Sequence, residues 1–216
     1  MEAVKVWWEV VNASEDLNDK QLLYDIARVD NELGHTDEAV GLWQKHLEYF
    51  PRSLWSAVGL GAAYGALNDT FGRDRAEELV RAMTPALSVG SKASDFVKVR
   101  GVDSLPESAS AGSVLRVRVY FEFLETISPG ETAEVRFSAA LGDGVCIPLP
   151  SLPKYPGTPP FWRGDCLVQE FALTLPGGLA AGDYHVVLNM GGSRAEVALA
   201  PLRVAVAKAA AEAGPS

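Results

Sequence analysis

Three histidines, two cysteines and one Gly-rich run are where this 216-residue chain could do chemistry. By local pattern His35 lies in a turn, His46 in a helix and His185 in a strand. None has a second histidine or a carboxylate at metal-ligand spacing, so no metal site is expected. His46 reads as a partly buried packing residue, and His185 alternates outward into solvent. The run Gly59-Leu-Gly-Ala-Ala-Tyr-Gly65 superficially matches a dinucleotide loop, but its third spacing is wrong and no strand precedes it. Small residues there suit close helix packing. No Gly-x-Ser-x-Gly elbow, phosphate loop or carboxylate pair occurs, so nothing supplies a nucleophile–base pair. The expectation is no catalysis and no cofactor.

The cysteines, Cys146 and Cys166, permit one bridge at most. Strand alternation after Cys166 puts Leu167, Phe171, Leu173 and Leu175 on one face and Cys166, Glu170 and Thr174 on the other. That argues against a buried inter-sheet disulfide and leaves a surface bridge to Cys146 open. Arg163-Gly-Asp165 matches an integrin-binding tripeptide, a triplet that chance supplies often. Asn12-Ala-Ser14 and Asn68-Asp-Thr70 are sequons that matter only on a eukaryotic secretory route.

Whatever role the chain has must suit an acidic surface. Net charge is −9, and residues 1–90 hold 8 Lys/Arg against 15 Asp/Glu, a balance of −7. An acidic face releases no counterions from nucleic acid, and it is repelled by anionic lipid. The longest uncharged helical stretch, 53–67, falls short of the ~20 residues a membrane span needs.

Two copies of one pattern position this acidic half: Glu2-Ala3-Val4-x-Val6-Trp7 recurs as Glu38-Ala39-Val40-x-Leu42-Trp43, 36 residues on. Leu23, Ile26 and Ala27 form one helical stripe, which Gly34 ends in a left-handed cap. Asp37 caps a second helix, where Ala39 allows close approach, Trp43 and Leu47 face the core, and Pro51 breaks the pattern. Leu23, Ile26, Ala27, Gly34, Ala39, Trp43, Leu47 and Pro51 resemble the tetratricopeptide pattern, with Asp30 standing where that family has an aromatic. A second unit follows with Ala57, Leu60, Gly61, Tyr64 and Ala76. The resemblance implies that first helices line a groove for a peptide or helix of a protein partner. Its wall would comprise Gln21, Tyr24, Arg28, Asn31, Trp55, Val58 and Ala62, with Trp55, Tyr24 and Arg28 as a hot spot or Trp55 covering the neighbouring hairpin. Residues 2–12 read as a lone second helix, so the chain is expected to continue upstream or to pair with itself through Val6, Trp7, Val10 and Val11.

Beyond a polar hinge at 88–94, the period changes from 3.6 to 2. Val117, Val119, Phe121 and Phe123 alternate inward, as do Val135, Phe137 and Ala139, then Tyr184, Val186, Leu188 and Met190, then Leu202, Val204 and Val206. Turn signals separate these sets. Leu179-Ala-Ala-Gly-Asp-Tyr184 resembles the tyrosine corner of immunoglobulin- and fibronectin-like sandwiches. More loosely, residues 113–207 are similar to accessory sandwiches of bacterial membrane glycosyltransferases, which implies an extracytoplasmic, cell-envelope setting and a carbohydrate partner. The connection 141–164 holds six prolines, and its Tyr155, Phe161 and Trp162 would offer flat rings to a sugar or a proline-rich peptide, or pack back on the sandwich.

The expected fold is therefore a two-domain α + β chain. Tetratricopeptide-like hairpins would occupy 1–87, a linker 88–94, an antiparallel immunoglobulin-like β-sandwich 95–208 and a tail 209–216. The expected role is a non-enzymatic protein–protein interaction or assembly module, with a carbohydrate-contacting accessory domain of a glycan-handling membrane enzyme as the alternative.

Overall fold

The computed structural model describes residues 6, 9–11, 13–14, 16–93, 95–103, 105–126, 137–141, 145–148, 161–190 and 196–205. The chain forms two compact units. The first is bounded by Met1–Thr84 and takes in two later segments, Glu122–Thr126 and Phe161–Leu167; the second takes in the rest of the described chain from Pro85 onward. The expected boundaries at 87 and 95 are thus too simple, because two pieces of the later sequence fold with the helices.

Five helices build the first unit among the described residues: α1 (Leu17–Lys20), α2 (Leu22–Glu32), α3 (Thr36–Tyr49), α4 (Leu54–Ala66) and α5 (Thr70–Ala82). Each of α2 to α5 packs on the next, giving two consecutive hairpins. The α2 stripe buries Leu23, Ile26, Ala27 and Asp30, at helical spacing. Gly34 ends it at φ +86°, the left-handed conformation anticipated. The buried Asp30 is not idle in the aromatic's place. Its carbonyl accepts from the His35 N–H at 2.9 Å, and its carboxylate lies 3.5 Å from His35 Nδ1, which ties the α2–α3 turn. His35, not Asp37, is the N-cap of α3; Asp37 sits inside the first turn.

Real side-chain caps start the second hairpin. Ser53 accepts from the Ser56 N–H, and Asp69 accepts from the Gly72 N–H. The core joins Leu23, Ile26 and Ala27 to Ala39, Leu42 and Trp43, and to Leu60, Ala63 and Ala76. Val11 belongs to this core at 1% exposure, whereas Val6 and Val10 are exposed. The expected homomeric patch of Val6, Trp7, Val10 and Val11 therefore loses Val11, whose backbone carbonyl also accepts from the buried Lys20 ammonium; Trp7 lies outside the described residues.

The described strands form two sheets. β1 (Leu87–Lys92), β2 (Val97–Val102), β4 (Val114–Phe123) and β7 (Cys166–Thr174) give the order β1-β2-β4-β7. β3 (Ser108–Ser110), β5 (Phe137–Leu141), β6 (Val145–Pro148), β8 (Gly182–Met190) and β9 (Glu196–Ala205) give β3-β9-β8-β5-β6. Pairing is antiparallel in β1–β2, β5–β6, β5–β8 and β8–β9, and parallel in β3–β9. Leu115, Val117, Val119 and Phe121 are buried, while Arg116 and Arg118 face out to Glu170 and Asp103. The polar stretch read as a linker is strand β1. Its residues are mostly exposed, so no apolar alternation marks it, and backbone pairing with β2 alone defines it. The Tyr184 hydroxyl donates to the Ala180 carbonyl at 2.9 Å, the upstream bond that a tyrosine corner makes.

Two glycines of the helical unit test this packing. A Cβ at Gly59 would lie 2.6 Å from Trp43 Cε2, whereas one at Gly41 would meet nothing within 4 Å. Gly59→Ala is expected to destabilise by about 1–3 kcal/mol through overpacking. Gly41→Ala is expected to stabilise by about 0.5–1 kcal/mol through helix propensity. Opposite shifts of the urea midpoint check this contrast; equal shifts would place the Trp43–Gly59 contact in doubt.

Candidate functional site

One nucleophile and one base do meet in this fold. Ser56 Oγ lies 2.9 Å from His46 Nδ1, and Ser53 Oγ donates to Ser56 Oγ at 3.1 Å. Sequence reasoning missed the pair because the partners come from two helices. It is, however, a core network: Ser56 is 0% and His46 2% exposed, and the ring packs 4.5 Å from that of Phe50. Burial lowers the His46 pKa from 6.5 to about 4, so the imidazole is neutral at pH 7. A substrate has no approach to it, and the pair fastens α3 to α4. His185 is exposed, as its alternation implied. No group of three His, Cys, Asp or Glu able to hold a metal occurs among the described residues.

A second polar cluster sits where the segment Phe161–Leu167 crosses the α3–α4 junction. Asp165 is 2% exposed, and its carboxylate accepts from Arg52 at 3.1 Å and from the Trp162 N–H at 3.1 Å. Backbone bonds run to both sides. The Cys166 N–H donates to the Arg52 carbonyl, the Phe123 N–H to the Asp165 carbonyl, and the Gly164 N–H to the Phe123 carbonyl. Burial raises the Asp165 pKa, outweighing the pull of the Arg52 guanidinium and the Trp162 N–H. With Asp165 inside, the Arg163-Gly-Asp165 triplet presents no carboxylate to a receptor.

Of the two alternatives for the loop rings, surface platforms or packing back on the protein, Phe161 and Trp162 follow the second. Phe161, 0% exposed, stacks on Phe123 at 4.0 Å with an interplanar angle of 4°. Trp162, 6% exposed, meets the Phe50 ring edge-on at 5.1 Å. Neither is free to stack on a sugar, and Tyr155 lies outside the described residues. Cys166 is a buried thiol whose Sγ donates to the Met83 carbonyl, packed with Leu54, Ala57 and Met83. Of the face read as polar from strand alternation, Glu170 and Thr174 are exposed as expected, and Cys166 alone is covered by helices.

Of the groove wall expected on the first helices, Tyr24 and Trp55 come together, with ring centroids 6.0 Å apart. Trp55 is only half-exposed, because Gly164 and Arg163 cover it. A Cβ at Gly164 (φ +87°) would lie 2.9 Å from the ring, and the Arg163 guanidinium lies 5.8 Å from its centroid. Arg28 pairs with Glu32 at 3.1 Å. Gln21 and Asn31 are half-buried, while Val58 and Ala62 are exposed. The expected hot spot is therefore partly filled by the chain's own 161–167 segment.

One open depression among the described residues of this unit lies on the second helices. Gln44, Leu47 and Glu48 of α3 and Gly72, Arg75, Ala76 and Leu79 of α5 wall a cleft of about 330 Å³, floored by Leu60 and Tyr64 of α4. The helices α3 and α5 each pack on α4 and hardly on one another, which leaves a valley along α4. The Gln44 amide donates to the Tyr64 hydroxyl at 2.6 Å across that valley. Leu79 is partly exposed, and Phe71, two turns earlier on α5, is 78% exposed. Side chains at these i, i+4 and i+8 positions, Phe71, Arg75 and Leu79, run along one side of the helix. This amphipathic valley was missed because Leu47, Leu60, Tyr64 and Ala76 read simply as core.

The buried His46 makes a pH prediction. Unfolded, the ring titrates near 6.5; folded, it titrates at about 4. Between those values only the unfolded chain takes up the proton, so stability falls with pH, by about 3 kcal/mol over the whole window. Nothing is lost above 6.5, and the loss stops growing below 4. Asp165 acts with the opposite sign: its raised pKa gives stability at low pH that is lost as pH rises through the folded value. Comparing wild type with His46→Gln cancels the Asp165 contribution. The variant is expected to lose less stability in urea melts from pH 6.5 to 4.5, and parallel losses would show that His46 is not the titrating group.

No protein-family model matches the sequence, and no curated protein matches it. Among solved structures, the chain is similar to a Niemann-Pick type C2 protein from Japanese carpenter ant, at 12% identity and a TM-score of 0.36, covering 55% of this chain and 98% of that one. It is also similar to Pseudomonas fluorescens alkylpurine DNA glycosylase AlkC bound to abasic-site DNA, at 15% identity and TM-score 0.35, covering 91% of this chain and 50% of that one. A family 123 glycoside hydrolase from Clostridium perfringens follows at 10% identity and TM-score 0.24, covering 46% of this chain and 22% of that one. Likeness at this level carries no argument about activity.

Proposed function

We propose that this chain is a non-enzymatic protein-interaction module whose helical unit holds a helical segment of a partner in the valley between α3 and α5. The observation that carries this reading is the valley itself, an apolar floor of Leu60 and Tyr64 between walls that each bring leucine and a polar rim. A helix is about 10–12 Å across with its side chains, the calibre of a valley above one helix and between two others. Such a floor favours an amphipathic helix reading its anchors at i, i+3, i+4 and i+7. The groove of the tetratricopeptide-like reading thereby moves from first helices to second helices, since Trp55 is already engaged by Arg163 and Gly164. The two sheets fit an immunoglobulin-like sandwich serving as spacer or second contact surface, a reading supported by the Tyr184–Ala180 bond. The carbohydrate-contacting alternative is less supported, because Phe161 and Trp162 are buried.

A displayed library of helical peptides, selected on the wild-type protein, tests the reading. Enriched peptides are expected to lose at least about tenfold in affinity on Leu79→Arg, a change of about 1.4 kcal/mol or more. Leu79 is partly exposed, so the unfolding midpoint should hardly move. Gly41→Arg, on an exposed and open part of α3, should leave binding intact. Binders indifferent to Leu79→Arg, or none at all, would dismiss the valley as the docking site.

A further inference from the structure

We infer that the helix held in the valley is basic, with its lysines or arginines lying along the α3 wall; this rests on the valley being the docking site. The helical unit carries the whole net charge of the protein. Its segments, Met1–Thr84, Glu122–Thr126 and Phe161–Leu167, hold 9 Lys/Arg against 18 Asp/Glu, a balance of −9, while the second unit holds 10 of each. Inside the valley the charges are one of each sign, Glu48 and Arg75, so the lining alone selects neither. The surrounding surface decides. It draws a basic segment in and turns an acidic one away.

The two walls of the valley fix where the cations belong. Asp37, Gly41, Gln44 and Glu48 follow one another at helical spacing along one side of α3, and all four are exposed. Gln44 and Glu48 line the valley, so this acidic stripe runs along its rim. Asp37 has no ion pair among the described residues. Glu48 meets Lys45 at 2.7 Å, an exposed i, i+3 pair that water screens and a second cation can join. The α5 wall is unlike it, because Arg75 stands there one turn from Leu79. A helix whose apolar side rests on Leu60 and Leu79 thus turns its cations toward α3 and sets a neutral or acidic position over Arg75. Attraction along one wall and repulsion at the other orient the incoming helix.

Two fluorescein-labelled helical peptides with identical leucine positions, one flanked by lysines and one by glutamates, test this by fluorescence anisotropy. The lysine peptide is expected to bind about tenfold or more tightly than the glutamate peptide at low salt, with the gap shrinking as ionic strength rises. Glu48→Lys is expected to weaken the lysine peptide about fivefold or more. Asp25→Lys, an equal charge change at an exposed position of α2, should weaken it about twofold at most. Equal losses would show that the cations do not lie along α3 and would overturn the inference. Leu79→Asp removes the apolar seat while adding negative charge, so a seated lysine peptide is lost. A lysine peptide that binds this variant more tightly is held by diffuse attraction, which also overturns the inference. If both peptides bind equally and Leu79→Asp abolishes both, the basic preference is overturned while the valley remains the docking site. If neither binds, both fall. If the protein alone sediments as a dimer that Leu79→Asp dissociates, the occupant is a second copy and this inference is overturned.

Discussion

The helical unit depends on how the segment Phe161–Leu167 is seated at the junction of α3 and α4. Arg52 and Asp165 meet there with the carboxylate almost wholly removed from water. Such a pair adds little net stability, because desolvation consumes most of the attraction, but removing one partner strands the other at a cost of about 3–5 kcal/mol. It therefore acts as a registration device. Around it the Ser53–Asp165 bridge, the Cys166 N–H bond to Arg52 and the Phe50–Trp162 ring contact hold the residues between the two helices. With that turn fixed, the angle at which α4 leaves α3 is fixed, and so is the width of the valley above α4.

That seating also explains which chemistry the fold forgoes. The Ser56–His46 pair has a distance suited to proton transfer, yet it lies under the Phe50 ring in the same junction. General-base catalysis needs a group that can reach a substrate and hold a pKa near the working pH. His46 has neither property, with a pKa near 4 and an exposure of 2%. The burial that lets the pair fasten α3 to α4 is the burial that removes it from chemistry. Stability and catalysis compete for these two residues, and stability has taken both.

Much of the hairpin geometry was legible because it is local. Leu23, Ile26 and Ala27 repeat at helical spacing, Gly34 needs its left-handed backbone, and Ala39 and Gly59 admit close approach; each signal spans a few residues. The seated segment was not legible, since Arg52 and Asp165 are 113 residues apart and no period links them. Cys166 shows how such a long-range contact defeats a local rule. Alternation placed it correctly opposite Leu167 and Phe171 and on the side of the exposed Glu170 and Thr174, but Cys166 itself does not meet water, because Leu54, Ala57 and Met83 pack against it. β1 failed for the converse reason: its Ser and Gly side chains carry no burial signal, and only its backbone bonds make it a strand.

The displacement of the candidate groove follows from the same contacts. A groove on first helices needs Trp55 free, but its ring is the surface against which the Gly164 turn closes; a Cβ there would lie inside contact distance. The chain thereby uses one face of α4 to hold itself together and leaves the opposite side, Leu60 and Tyr64, as floor for something else. A single helix cannot satisfy two partners with one stripe. Because the 161–167 segment is tethered, its effective concentration at Trp55 is set by the chain itself, far above what a separate partner reaches. On the proposed reading, an incoming helix meets the least competition on the second-helix side, over Leu60 and Tyr64.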